Sequence, residues 1–425
     1  MRYFTQVSTL HAIATVVIGL LWLTAGEPLK RAMYVAAYIT GAEVLWRMTG
    51  ASVFWEFGKY ATAIVLIVGM LRSGRLRGSL LPILYFALLL PSTLFTFDQL
   101  NLDEARKQFS FNMSGPFALM VSVIFFYHMK ISSQQMRNVF IAVIAPVVGV
   151  ASLTLFRLIT VTSLEFSERR SSFSVAGFGP NQVSAALSLG AVLALLYVLS
   201  FRSDWLMKIV MCAVAIVLLS QSALTFSRGG LYMAAGSLAA GSLYFVRNTR
   251  NRIKLALVLA FLATSAYYVV LPRLDAITNH VVEGRFMNTY ESGREEIIWN
   301  EMKLWRDNPF LGVGPGVSMF LSKNALNGIV PPHTEFTRVL VEHGLPGVVS
   351  LVLLLAIATV SVRRQGAHRS RAIAVTILTW TILFMAINAM RIVAPSFLFG
   401  LAALSWINEG AEDQLFGQSR SAIKV

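Results

Sequence analysis

Charge is what this sequence has least of. Only 13% of its 425 residues are Asp, Glu, Lys or Arg, against roughly 25% in a soluble domain. With 56% hydrophobic residues as well, the chain has too few polar side chains for an ordinary soluble globule. Cysteine is nearly missing too. Cys212 stands alone in the sequence, so no disulfide can form within the chain and any outer segment must hold itself by packing. Lying in an apolar run, Cys212 reads as a small buried hydrophobe. The six histidines include no i, i+4 pair with acidic neighbours, and Asp-x-Asp does not occur. Neither a metal site nor a nucleotide-sugar metal complex is expected, and no cofactor is called for.

What the chain has instead is apolar runs. A helix crosses a bilayer with about 17–25 such residues, and runs of this kind lie at 8–25, 58–72, 79–96, 115–129, 138–159, 182–201, 206–226, 229–246, 253–271, 345–362, 371–388 and 392–408. The expected fold is therefore all-α, a polytopic bundle of about twelve transmembrane helices. The first run is expected to target the chain without a cleaved signal. Residues 31–48 are ambiguous, because Glu43 and Arg47 sit one helical turn apart inside them. Such charges can pair yet are costly in hydrocarbon, so a re-entrant or interfacial helix fits as well as a span. The favoured count leaves this stretch out and puts the N-terminus inside.

The net charge of +15 is an orientation signal and not a nucleic-acid signal. Its basic clusters occupy short connections: Arg72, Arg75 and Arg77; Lys130 and Arg137; Arg202 and Lys208; Arg247 to Lys254; Arg363 to Arg371. Every second connection is basic, which is the positive-inside pattern. Membrane lipids are the implied surroundings, and residues 272–335 then face outward. Three regions follow: an N-terminal bundle at 1–271, a lid segment at 272–335, and C-terminal helices with an inner tail at 336–425. Residues 97–114 carry Asp98, Asp103, Glu104, Arg106 and Lys107 at helical spacing and suggest a short surface helix. A Gly/Pro turn at 177–181 puts Asn181 where a span begins. Arg157, Arg169, Arg170 and Arg391 lie near outer helix ends and read as headgroup contacts.

The lid segment is the longest stretch without membrane character. Glu291 to Arg306 reads as a helix with an apolar stripe of Ile297, Ile298, Met302 and Trp305, an N-cap at Ser292 with Glu295 at capping-box spacing, and a stop at Pro309. Gly312-Val-Gly-Pro-Gly316 follows. No βαβ unit surrounds it, so it is a tight loop and not a dinucleotide fingerprint.

Three residues on this outer side invite chemistry. Arg228, in Ser227-Arg228-Gly-Gly230, stands at a helix start, where free N–H groups and a guanidinium suit an anion; snorkelling to headgroups is the competing reading. Arg294 fits either an anion or a surface pair with Glu291 or Glu295. His333, after Pro331-Pro332, is placed to accept a proton from a hydroxyl or to serve as a structural histidine at a loop–helix junction. Glu335, Ser227 and Asn181 are supporting candidates, and His343 looks structural.

Taken together, Phe226-Ser-Arg228-Gly-Gly230, Ser292-Gly-Arg294, Asn308-Pro-Phe-Leu-Gly-Val-Gly-Pro-Gly316, His333-Thr-Glu-Phe336 and Val341-Glu342-His-Gly344 resemble the bacterial O-antigen ligase and polymerase superfamily. The order of the motifs and the long outer loop before the last spans match as well. The resemblance implies a GT-C type membrane glycosyltransferase, acting on the outer face of the bacterial inner membrane. Its donor would be an undecaprenyl-pyrophosphate-linked glycan. Its acceptor would be a hydroxyl of the lipid A core (ligase), of a lipid-linked glycan (polymerase) or of a protein (O-oligosaccharyltransferase).

By the same resemblance Arg228 and Arg294 would hold the pyrophosphate, and His333 would be the general base of a metal-independent inverting transfer. Thr334 stands where the family has Asn. The alternative from another class is a transporter such as a flippase for lipid-linked oligosaccharides, in which charged or broken helices would face a central cavity. Here the polar residues are expected to gather at the outer loops.

Overall fold

The computed structural model describes residues 2–74, 79–160, 178–225, 227–245, 294–321 and 332–406, with isolated positions between 253 and 268. The protein is a helical bundle. In chain order run α1 (Arg2–Trp22), α2 (Pro28–Met48), α3 (Phe57–Ser73), α4 (Leu80–Ala87), α5 (Thr93–Gln99), α6 (Leu102–Phe126), α7 (Ser133–Thr160), α8 (Pro180–Ser200), α9 (Trp205–Leu224) and α10 (Arg228–Phe245). After them come α11 (Arg294–Asp307), the single turn α12 (Ser318–Leu321), α13 (Glu335–Arg363), α14 (His368–Ile387) and α15 (Ala394–Ala403). Among the described residues seven helices are long and apolar enough to cross a membrane: α1, α6, α7, α8, α9, α13 and α14. The expected run 253–271 lies largely outside the described residues.

Two expected spans and the expected surface helix are built differently. The run 79–96 is two short helices, α4 and α5, because Pro91 between them lacks the N–H that a continuous helix needs. The charged stretch at 97–114 is no separate surface helix. Most of it is the first half of α6, which starts at an Asn101 cap accepting from Glu104 N at 3.0 Å and runs on through Pro116 to Phe126. The run 392–408 gives only the ten-residue α15, followed by a two-residue strand, Ser405–Trp406, parallel to Lys130–Ile131.

The ambiguous stretch 31–48 is α2, and it lies in the core. Ala32, Ala36, Ala37, Ile39 and Ala42 are fully buried. A Cβ at Gly41 would come 2.2 Å from the carbonyl oxygen of Val143, so glycine lets α7 pack directly on this helix, as small residues do in membrane bundles. Its charges pair: Arg47 Nη2 meets Glu43 Oε1 at 2.7 Å, with side chains 8% and 2% exposed. The helix is thus packed within the protein, and it is not among the seven long and apolar enough to cross a membrane.

The C-terminal helices return into the same bundle, α14 against α10 and α15 against α6. The end carrying the two short strands is basic. Arg137 caps the carbonyl of Arg202 at 2.7 Å, and Arg364 stacks over Tyr127 at 3.8 Å. The starts of α3, α6, α8, α10, α13 and α15 lie at the opposite end.

Candidate functional site

At that opposite end, α10 begins at Arg228. Gly230 lets it seat on α8, since a Cβ there would lie 2.2 Å from Ser184 Oγ and 2.5 Å from Ser184 O. Ser184 Oγ donates to the carbonyl of Ser227 at 3.0 Å and shares a hydrogen bond with Ser222 Oγ at 2.8 Å. Ser227 Oγ in turn donates to Asn181 Oδ1 at 2.8 Å. Arg228, half-buried, is thus mounted on a buried serine cluster. Being at a helix N-terminus, it adds a full positive charge to the partial one already there.

The next residue along α8 extends this contact. Gln182 Oε1 accepts from Arg47 Nη1 at 3.2 Å, and the same guanidinium donates to Arg391 O at 2.7 Å, Glu43 Oε1 at 2.7 Å and Trp55 O at 2.8 Å. It also lies 4.5 Å over the Trp55 ring. With these partners Arg47 is a brace, not a free cation. Glu43 Oε2 accepts from Val393 N at 2.6 Å. Lys59, fully buried, donates to Ser114 Oγ at 3.2 Å.

Arg391 carries the chain of contacts to His333: its Nη2 donates to Pro332 O at 2.9 Å. His333 is half-buried, one residue before the N-cap of α13. Thr334 makes that cap, its hydroxyl accepting from Thr337 N at 3.0 Å. Thr is among the residues that cap helices well. Glu335, expected to support His333 directly, turns into the bundle. Its carboxylate takes Arg338 Nε at 3.0 Å, Arg338 Nη2, and Met390 N at 2.9 Å. Its support is to the start of the helix that follows His333. Arg338 also donates to Glu342 Oε2 at 2.6 Å, so one buried guanidinium bridges two buried carboxylates.

Residues 294–321 pack over this end. Gly312, Gly314 and Gly316 all have positive φ, and so does Gly344, where α13 kinks at φ 59°, ψ −137°. Val313 N and Gly314 N donate to Val341 O and Glu342 O at 3.0 Å each, and Gly316 N donates to Glu342 Oε1 at 2.8 Å. The expected tight loop is therefore a plug threaded into the kink. His343, fully buried and hydrogen-bonded to Ser92, is structural.

On top, α11 packs Met302, Leu304 and Trp305 against Val313, Val317 and Val341. Glu301, 2% exposed, bonds Thr337, and burial pushes its carboxyl up to about 7. Arg294 is the first described residue of α11; its side chain lies outside the described residues, as does Ser292.

The structure joins Ser227 to Asn181 directly, and joins that pair to Pro332-His333 through Gln182, Arg47 and Arg391. Sequence reasoning missed Gln182, Lys59 and Arg338 and took Arg391 for a headgroup contact. The signal it passed over was the i, i+3, i+7 spacing of Glu335, Arg338 and Glu342 inside an apolar helix. Of the site's polar residues, His333, Asn388 and Arg391 lie in loops, whereas Arg47, Lys59, Glu335, Arg338 and Glu342 lie within helices. Among the described residues no three His, Cys, Asp or Glu side chains converge as metal ligands would.

Residues 222–352 match the family model described as O-antigen ligase. This span holds Arg228, Arg294 and His333, the whole lid, and the kink of α13. A comparison with curated proteins finds no match.

Proposed function

We propose that this chain, whose residues 222–352 match the O-antigen ligase family model, is an inner-membrane glycosyltransferase of GT-C type. It moves a glycan from an undecaprenyl-pyrophosphate carrier to a hydroxyl acceptor on the outer face of the membrane. The observation that carries the reading is the chain of contacts from the Arg228 turn through Gln182, Arg47 and Arg391 to Pro332, which brings residues 228 and 333 to one end of one bundle. The basic opposite end supports this orientation.

The chemistry needs two things. The acceptor oxygen must lose its proton as it attacks the anomeric carbon, and His333 takes it. The bond from that carbon to the pyrophosphate oxygen breaks with its electron pair on the pyrophosphate, whose charge Arg228 and Arg294 stabilise. Attack from the face opposite the leaving group inverts the configuration.

Purified protein in proteoliposomes with a lipid-pyrophosphate-linked glycan tests this. Transfer to an added acceptor is expected, and His333→Ala and Arg228→Ala should each abolish it while the protein stays folded. Offering a lipid A core, a second lipid-linked glycan and a Ser/Thr peptide separates the three acceptors. Movement of the donor across the vesicle without transfer would establish the flippase instead.

A further inference from the structure

The loop 388–393, between α14 and α15, lies between the two halves of the proposed site. On one side Ile387 packs on Gly229, where a Cβ would sit 3.2 Å from Ile387 Cγ2. On the other, Arg391 Nη2 holds the carbonyl of Pro332. Buried side chains clamp the loop backbone: Glu335 accepts from Met390 N, Arg47 donates to Arg391 O, and Glu43 accepts from Val393 N. A loop held at three successive points keeps its side chains in place.

Two donors on this loop are left over. Asn388 is 8% exposed and buries Nδ2 without an acceptor; Arg391 buries Nε without one. A buried donor lacking its partner is destabilising. Among the described residues Arg391 hydrogen-bonds a carbonyl and no carboxylate, while Glu335, which shares Arg338 with Glu342, is near enough to favour its charge. An amide donor and a guanidinium with a donor to spare, placed between a second guanidinium and an imidazole, suit a multiply charged oxyanion.

We propose that Asn388 and Arg391 form an anion subsite that takes diphosphate oxygens of the prenyl-linked donor between Arg228 and His333. The inference rests on the donor reading given above and extends it to two residues outside the matched family segment.

The experiment is titration calorimetry of the full chain in detergent with farnesyl diphosphate, and with farnesol as the uncharged control. Asn388→Asp keeps size and shape but sets a carboxylate against the ligand, and Arg391→Gln removes the charge. Each should weaken farnesyl diphosphate at least ~10-fold and leave farnesol binding unchanged, with Arg391→Lys recovering part of the loss. A folded variant that binds farnesyl diphosphate as tightly as the native protein overturns the subsite, and so does one that loses both ligands alike. Should Arg391→Gln not fold, Asn388→Asp decides by itself. Failure of the native protein to bind either ligand would reject the donor reading itself, a result distinct from loss of the subsite alone.

Discussion

Arg47 donates to the carbonyl oxygen of Arg391 at 2.7 Å across 344 positions of sequence. That bond fixes the loop before α15 to the end of α2, and Glu43 secures the same junction through Val393 N. Removing one member of such a buried pair strands the other. Arg47→Met should therefore cost about 3–5 kcal/mol, read as a fall in unfolding temperature in detergent. Adding Glu43→Gln should restore part of it, because the uncompensated charge is then gone.

Gly344 is the point where α13 opens to admit the glycine-rich loop. At φ 59° and ψ −137° a side chain is strained, and its Cβ would lie 2.6 Å from Pro309 O. Gly344→Ala should cost about 1–3 kcal/mol in backbone strain, plus the price of displacing the loop. Limited proteolysis should then cut within 294–321 sooner than in the native protein. Unchanged cleavage would mean that the plug does not hold the lid.

The bundle was legible in hydropathy because burial in lipid leaves long apolar runs. The site motifs were legible because 292–316 and 333–344 are each nearly continuous in sequence. Missing from both signals was pairing. Hydropathy counts Glu43 and Arg47 as two costs, although their mutual contact makes α2 a core helix. It treats 79–96 as one run because a single Pro91 barely lowers an average. The Arg47–Arg391 and Glu43–Val393 contacts have no local trace at all, since nothing at 43–47 points to 391–393.

Lid docking should weaken with rising pH. The Glu301 carboxyl is raised from 4.5 to about 7 by burial, so the docked form holds its proton where the undocked form has lost it. Below about pH 4.5 both forms are protonated and docking is strongest. Between that value and about 7 only the undocked form is ionised, and stability drains away as pH rises. Hydrogen exchange across α11 should quicken over this window. Glu301→Gln should flatten the dependence; an unchanged profile in that variant would place the titrating group elsewhere.

Asn181 and Ser227 touch neither the acceptor nor the bond that breaks in the proposed reaction; they set the turn that presents Arg228. Loss of their 2.8 Å hydrogen bond removes about 1 kcal/mol from the placement of that guanidinium. Ser227→Ala should therefore lower transfer about fivefold, mostly as a higher KM for the lipid-linked donor, with KM for the acceptor unchanged. Asn181→Ala should do the same, and the double variant should be little worse than either, because both substitutions remove one shared bond. Two full, multiplying losses would instead mean that each side chain meets the donor on its own.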